Sequence, residues 1–259
     1  DFSGFLVNNE LKAVNGQFAL RGSLEPKAPV VIVTIDEDSF AELNMPWPWP
    51  RALHGKLIDV VSRGKPAVIA LDILFLEPSA RGPSDDQSLA RAIRRSGKVV
   101  LAAGLSEVRE SGWIKEKRDL NPPLPLLREG AAAWGPVNII TDRDAFVRRA
   151  RLTLDFQGKE WAGFDLDIYR LAKAAGIPAA PLPASPEFLI NYAGPPGAFP
   201  RVAYSRVVSG EVPPEIFEGQ IVLVGATTQI LHDVFPTPFA PLRTMPGGAI
   251  HANILNTLL

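Results

Sequence analysis

Cysteine is absent from the 259 residues, which excludes disulfides, thiolate metal sites and a cysteine nucleophile while leaving the redox compartment open. Histidine is scarce: His54, His232 and His251 are the whole complement, and none has a second histidine at the spacing that presents two metal ligands on one helix face. Long apolar runs are missing too. The longest, "AVIALDILFL", is interrupted by Asp72 and falls well short of the roughly 18 residues expected of a membrane helix, so the isolated chain is expected to be soluble. Net charge is only −1, and the basic runs "RAIRR" and "VRRAR" sit inside patterned segments, so nothing points to nucleic acid as a partner. There is no Gly-x-Ser-x-Gly elbow, no Gly-x-Gly-x-x-Gly loop and no Walker sequence, and no cofactor is implied.

What is present reads as a folded α/β domain. Hydrophobic residues make up 46% and charged residues 21%, ordinary values for a chain that buries a core. "PVVIVTID" is a continuous β-branched run, the mark of a strand covered on both faces. "AVIALDILF", "VVLAAG" and "QIVLVGA" repeat that pattern, with helical periodicity between the first three. Pro50 is expected in the first turn of a helix whose Leu53, Leu57, Val60 and Val61 recur at helical spacing until Gly64 ends it. Ser84 with Gln87 predicts a capping box for a helix carrying Leu89, Ala92 and Ile93, closed by Gly97. Alternating strands and helices predict a mostly parallel or mixed central sheet flanked by helices.

Residues 1–259 are expected to form a single domain, with an irregular sub-lobe around 105–160. There the pattern loosens from Leu105 to Ala133, where a long, partly irregular crossover is expected, and "NPPLPLL" rules out a central strand. "GPVNII" and "RRARLTLDF" are expected to pair antiparallel through "TDRDAF". "FDLDIYRLAKAAG" reads as an amphipathic helix, "FLINY" as a short strand, and "GGAIHANILNTLL" as a terminal helix. The start at Asp1 without methionine and the apolar last helix without a C-cap are expected of a segment cut from a longer chain, as is the helical pattern of "FSGFLVNNELKAV".

Ligands of parallel sheets gather beyond the carboxyl ends of the strands. That rim holds Asp36 and Asp38, Asp72 with Glu77, Gly104, and Gly225 with Thr227 and Thr228. The candidate ligand-binding set is Asp36, Asp38, Arg51, Asp72, Thr227, Asp233 and His251, the last expected to meet Asp233 in space. The mixed charges suit a polar or zwitterionic ligand; an ion-paired loop cluster, with Asp36 and Asp38 capping the helix "EDSFAEL", is the structural alternative. "PWPWP", Pro46 to Pro50, is read as a stiff, polyproline-like arm. It would deliver Arg51 and His54 and position the site through Trp47 and Trp49 rather than constitute it.

An enzyme reading rests on "VVIVTIDEDS", whose Asp-x-Asp resembles the first motif of haloacid-dehalogenase-type phosphohydrolases, with Asp36 and Asp38 working around Mg²⁺. The motif set is incomplete: Ala226 stands where a late acidic residue would be required. A third reading is a ligand-free dimerisation scaffold.

Over nearly its whole length the chain resembles the type-two CHASE domain, the cyclase- and histidine-kinase-associated sensory extracellular domain. The resemblance lies in the order of "VVIVTIDEDSF", "PWPR", "AVIALDILFLEPS", "DDQSLARAI", "VVLAAG", "WGPVNIITDRDAFVRRARL", "FLINYAG", "GQIVLVGATTQILHDVFPTP" and "PGGAIHANILNTLL". Departures are Asn15, where an acidic residue would be expected, and Gly248 with Ala249 in place of an apolar-acidic pair. The resemblance implies a non-enzymatic, extracytoplasmic sensor of a membrane-bound bacterial receptor. It implies an undefined small-molecule ligand, a homodimer, flanking transmembrane helices and a cytoplasmic cyclase or kinase output domain that is not in this chain. No catalytic residues come with it.

Overall fold

The computed structural model describes residues 13–109, 116–137, 139–228, 231 and 233–259, with the backbone alone at 106–109, 116–118 and 241–244. His232, Asn138 and most of "FSGFLVNNELKAV" lie outside the described residues; from 13 to 21 the chain is helix α1.

The four apolar runs become strands β1 (Val30–Ile35), β2 (Val68–Leu74), β3 (Val99–Arg109) and, much later, β11 (Ile221–Ala226). Between them lie helices α2 (Glu37–Leu43), α3 (Arg51–Arg63) and α4 (Pro83–Ser96). The remaining elements follow β3 in order: β4 (Glu116–Asn121), α5 (Pro125–Arg128), β5 (Ala133–Pro136), β6 (Arg149–Arg151), β7 (Thr153–Phe156), β8 (Lys159–Ala162) and α6 (Phe164–Ala174). Then come β9 (Glu187–Leu189), β10 (Arg201–Ala203), α7 (Tyr204–Ser209) and, after β11, the hairpin β12 (Val234–Thr237) with β13 (Ala240–Pro246) and the last helix α8 (Gly247–Leu258).

The central sheet has the order β10-β1-β11-β2-β3-β4, with β5 also on β3. Every pairing in it is parallel except β3 with β4. Period-two side-chain alternation divides each strand between two cores. Val31, Val33 and Ile35 pack with α3, α4 and α7, whereas Val30 and Ile32 pack with α6 and α8. With helices on both faces every position of β1 is buried, which is why it reads as an unbroken apolar run. The fold is therefore a mixed α/β sheet covered on two sides, as the sequence pattern predicts. Among the described residues no helix is long and apolar enough to cross a membrane.

Several local expectations are corrected. Helix α4 begins one residue before Ser84, with Gly82 as its N-cap and Pro83 in the first turn, so the Ser84/Gln87 capping box does not form. Pro83 supplies a preset helical φ, and its missing N–H costs nothing at that position. Gly97, at φ +63°, closes the helix in the left-handed conformation that glycine adopts without strain. The connection from β3 to β5 is a crossover between parallel strands, but its described part is more regular than expected: β3 runs on to Arg109 and pairs antiparallel with β4, from Gly104↔Asn121 to Arg109↔Glu116. Nor do the two strands flanking "TDRDAF" pair with each other. β5 joins β3, while β6 pairs β9 and β7 pairs β8. Alternation marks a strand with one solvated face, and it carries no information about which edge that strand will find.

Candidate functional site

The carboxyl ends of β1, β2 and β11 open onto a cavity of about 690 Å³, a volume suited to a small organic ligand. Ile35, Asp72 and Ala226 mark the three strand ends in its wall. The loop Leu74–Arg81 and the Trp47–Trp49 arm form other walls, and Asp233 enters from the segment that leads to β12.

Two consecutive acids of α4 hold those walls. Asp85 accepts hydrogen bonds from the Arg51 and Ala52 backbone amides at 2.9 and 2.8 Å and from the Ser79 hydroxyl at 2.6 Å. It thereby caps α3, whose own N-cap residue, Pro50, makes no side-chain cap bond. Burial would raise the Asp85 pKa, but these hydrogen bonds and the Arg51 charge outweigh it and hold the carboxyl below its ordinary value. Asp86 accepts from the Ser79 amide at 3.0 Å and pairs with the Arg51 guanidinium at 2.8 Å. Arg51 also donates to the Glu77 carbonyl and lies over the Phe75 ring. Its charge is committed to fastening the loop it borders.

Asp72 projects from β2 toward the α6 and α8 face and meets a buried polar cluster. His251, in the second turn of α8, has Nδ1 at 2.9 Å from both carboxylate oxygens of Asp165 on α6, and Nε2 at 4.0 Å from Asp72 Oδ2. Burial opposes a charged imidazole, yet Asp165, Asp72 and Asp233 together overcome it and push the His251 pKa up to about 9. Burial raises Asp72 to about 6, with repulsion from Asp233 and Asp165 adding to it and His251 opposing. Burial raises Asp233 as well, against His251 and the Gly247 amide. Position 247 has to be glycine for this arrangement, since a Cβ there would lie 2.3 Å from Asp233 Oδ2. Asp233 thus sits against the amino end of α8, where the helix dipole favours a carboxylate.

The candidate residues named from the sequence separate into two groups. Arg51, Asp72 and Asp233 line the cavity, and His251 is buried directly behind Asp72. Asp36, Asp38 and Thr227 are not in its wall. Asp36 caps α2, accepting from the Ser39 amide at 2.9 Å and the Thr34 hydroxyl at 2.6 Å. Asp38 is exposed in the first turn of that helix, and the Thr227 amide donates to the Ile35 carbonyl. The arm that carries Trp47 and Trp49 is bent at residues 47 and 48 rather than running straight, and its Trp47–Pro48 peptide is cis. Trp49 is 2% exposed, stacks obliquely on Tyr204 and donates its indole N–H to the Met45 carbonyl at 3.2 Å. Trp47 is half-buried in the cavity wall, edge-on to His54. His54, in hydrogen-bond contact with the Tyr204 hydroxyl at 2.9 Å, is kept neutral by burial and by the Arg51 charge, which lower its pKa to about 3.

Sequence reasoning missed Asp165, Asp85 and Asp86. One signal was available: Asp165 falls beside the apolar face of an amphipathic helix, where an unpaired acid would be costly. Among the described residues no group of three or more histidine, aspartate or glutamate side chains has the arrangement to hold a metal ion.

The structure is an α/β sheet covered on two faces, with an open pocket at its strand ends backed by a buried imidazole–carboxylate cluster. Its sequence matches the CHASE2 domain model over residues 2–259, and the chain belongs to that family. CHASE2 is a family of non-catalytic sensory domains from signalling receptors, generally extracytoplasmic. No match is found among curated proteins or among solved structures.

Proposed function

We propose that this chain is the extracytoplasmic input domain of a membrane-bound bacterial receptor. It binds a small molecule in the strand-end cavity and, as a homodimer, controls a cytoplasmic cyclase or kinase through flanking transmembrane helices. The observation that carries this reading is the placement of Asp72, whose carboxylate lines the cavity and lies 4.0 Å from His251 of the last helix. A ligand that changes the charge or position of Asp72 acts at once on α8 through His251. Signalling then requires only that the ligand favour one arrangement of α8 over another, because equal affinity for both would shift nothing.

The domain works by binding rather than by turnover. Asp36, the residue a phosphohydrolase would use as nucleophile, has both carboxylate oxygens engaged by Ser39 and Thr34. A thermal-shift screen of metabolites tests the reading: hits should lose their effect in Asp72→Asn and in Trp47→Ala. Hits indifferent to both changes would move the ligand elsewhere. Hydrolysis of a generic phosphomonoester with Mg²⁺, abolished by Asp36→Asn, would replace the sensory reading with the enzymatic one.

A further inference from the structure

The cavity wall carries three acids, Asp72, Glu77 and Asp233, and the Asp233 charge raises the proton affinity of Asp72. Among the described residues Asp72 makes no hydrogen bond; its nearest cationic atom is His251 Nε2, 4.0 Å away, on a ring already hydrogen-bonded through Nδ1 to Asp165. One imidazolium therefore serves three carboxylates, and the cluster is short of positive charge. The other cations of the wall do not supply it. Arg51 is held by Asp86, the Glu77 carbonyl and Phe75, and Arg81 is exposed. Most of the remaining wall is apolar, and Trp47 and Phe75 are among its residues.

We propose, resting on the cavity as the ligand site, that its ligand is an organic amine whose primary ammonium sits on Asp72 and Asp233 while its apolar body lies against Trp47 and Phe75. Three N–H donors match acceptor-only carboxylates, and charge-assisted hydrogen bonds are the strong ones in a partly desolvated site. The ammonium also restores the charge that the cluster lacks, so it stabilises the ionised form of both acids. A neutral ligand of the same shape would leave them repelling each other, and a carboxylate would add to the repulsion.

Binding of hexylamine and 2-phenylethylamine to the 259-residue chain is followed by calorimetry, and by tryptophan fluorescence with Trp47→Phe as the control that assigns the signal, at about pH 8, where a primary amine is protonated. Hexanol, 2-phenylethanol, hexanoate and 3-phenylpropionate serve as matched neutral and anionic probes. The amines should bind at least about tenfold more tightly than the alcohols, and the carboxylates more weakly than either. Asp233→Asn and Asp72→Asn should each erase the preference for amine over alcohol while the alcohols bind as before. Asp233→Asn leaves the Asp72–His251 ion pair and the Asp165–His251 hydrogen bond in place, and so provides the measurement should Asp72→Asn fail to fold. Equal binding of amine and alcohol, or a preference for carboxylate, overturns the amine and leaves the cavity as the site. Silence from all six probes overturns both.

Discussion

His251 Nδ1 lies 2.9 Å from Asp165 Oδ1, joining α8 to α6 across one face of the central sheet. Both side chains are almost wholly buried, so neither charge can be screened by water, and each depends on the other. The pair fixes the helix that ends the chain to the layer that covers the sheet.

The pH dependence of stability follows from that pairing. Unfolded imidazole titrates near 6.5 and folded His251 near 9, so the folded protein holds an extra proton between those values. The stabilisation is complete below about pH 6.5 and disappears as pH rises through about 9. In denaturant melts the wild-type chain should lose on the order of 3 kcal/mol across that interval. His251→Gln should be less stable at pH 6.5 and nearly flat above it. Asp72, raised from 3.8 to about 6, and His54, lowered to about 3, titrate below this window and do not blur it. A wild-type curve as flat as that of the variant would contradict the charged pair.

Asp85 should be worth more than an ordinary surface acid. It caps a helix more than thirty residues earlier in sequence and holds Ser79 as well. Asp85→Ala should cost roughly 2 kcal/mol, with Asp85→Asn recovering part of it. Because both cavity walls hang on this residue, tryptophan emission should shift to the red in Asp85→Ala under native conditions, and the shift should be smaller in a Trp47→Phe background. An unchanged spectrum and melting temperature would deny Asp85 that role.

Arg148 is 1% exposed and reaches Asp142 and Asp144 at 2.8 Å and Asn15 of α1 at 2.9 Å, with its guanidinium over the Phe146 ring. Arg148→Met strands two carboxylates and should cost about 3 kcal/mol or more in chemical denaturation. Arg148→Lys loses the bidentate geometry and should fall between the two. Asn15 occupies a position where an acid is expected from the family pattern, and it already accepts from Arg148 through its amide oxygen. Asn15→Asp should therefore change stability by no more than about 1 kcal/mol; a larger change in either direction would show that the third acceptor's charge matters.

The two tryptophans should part company. Trp49→Phe removes a buried indole N–H bond and leaves a gap beside Tyr204, so it should lower stability by about 1–2 kcal/mol and, because so little of Trp49 is exposed to the cavity it lines, change ligand affinity less than Trp47→Ala does. Trp47→Ala should do the reverse, weakening any cavity ligand with a smaller effect on the melt, since Trp47 is only half-buried. Equal effects of both on affinity would make the arm part of the binding surface rather than its support.

Much of the local structure is legible in the chain. Gly64 and Gly97 end α3 and α4, and the apolar runs of β1, β2 and β11 declare a sheet covered on both faces. Asp72 stands out because it breaks the longest apolar run, and the structure puts it in the cavity wall. Asp36 stands out for the same kind of reason, at the end of a strand, yet it serves as a helix cap. A carboxylate after a strand has the same local sequence in either role; what differs is whether a neighbouring amide or an empty space faces it.

The sequence by itself determined the core strands β1, β2, β3 and β11 and the helices α2, α3, α4, α6 and α8, because these follow from side-chain periods and backbone preferences within a few residues. Only the tertiary structure decided that β11, nearly the last strand in the chain, enters between β1 and β2. It also decided that β5 and β6 take separate partners, and that Asp165 and His251, 86 residues apart, share a hydrogen bond. An apolar strand edge accepts any partner that completes its ladder, and a buried charge is stable beside any opposite charge that reaches it. The choice is made by how all the layers close together, a condition on the whole chain that no local stretch contains.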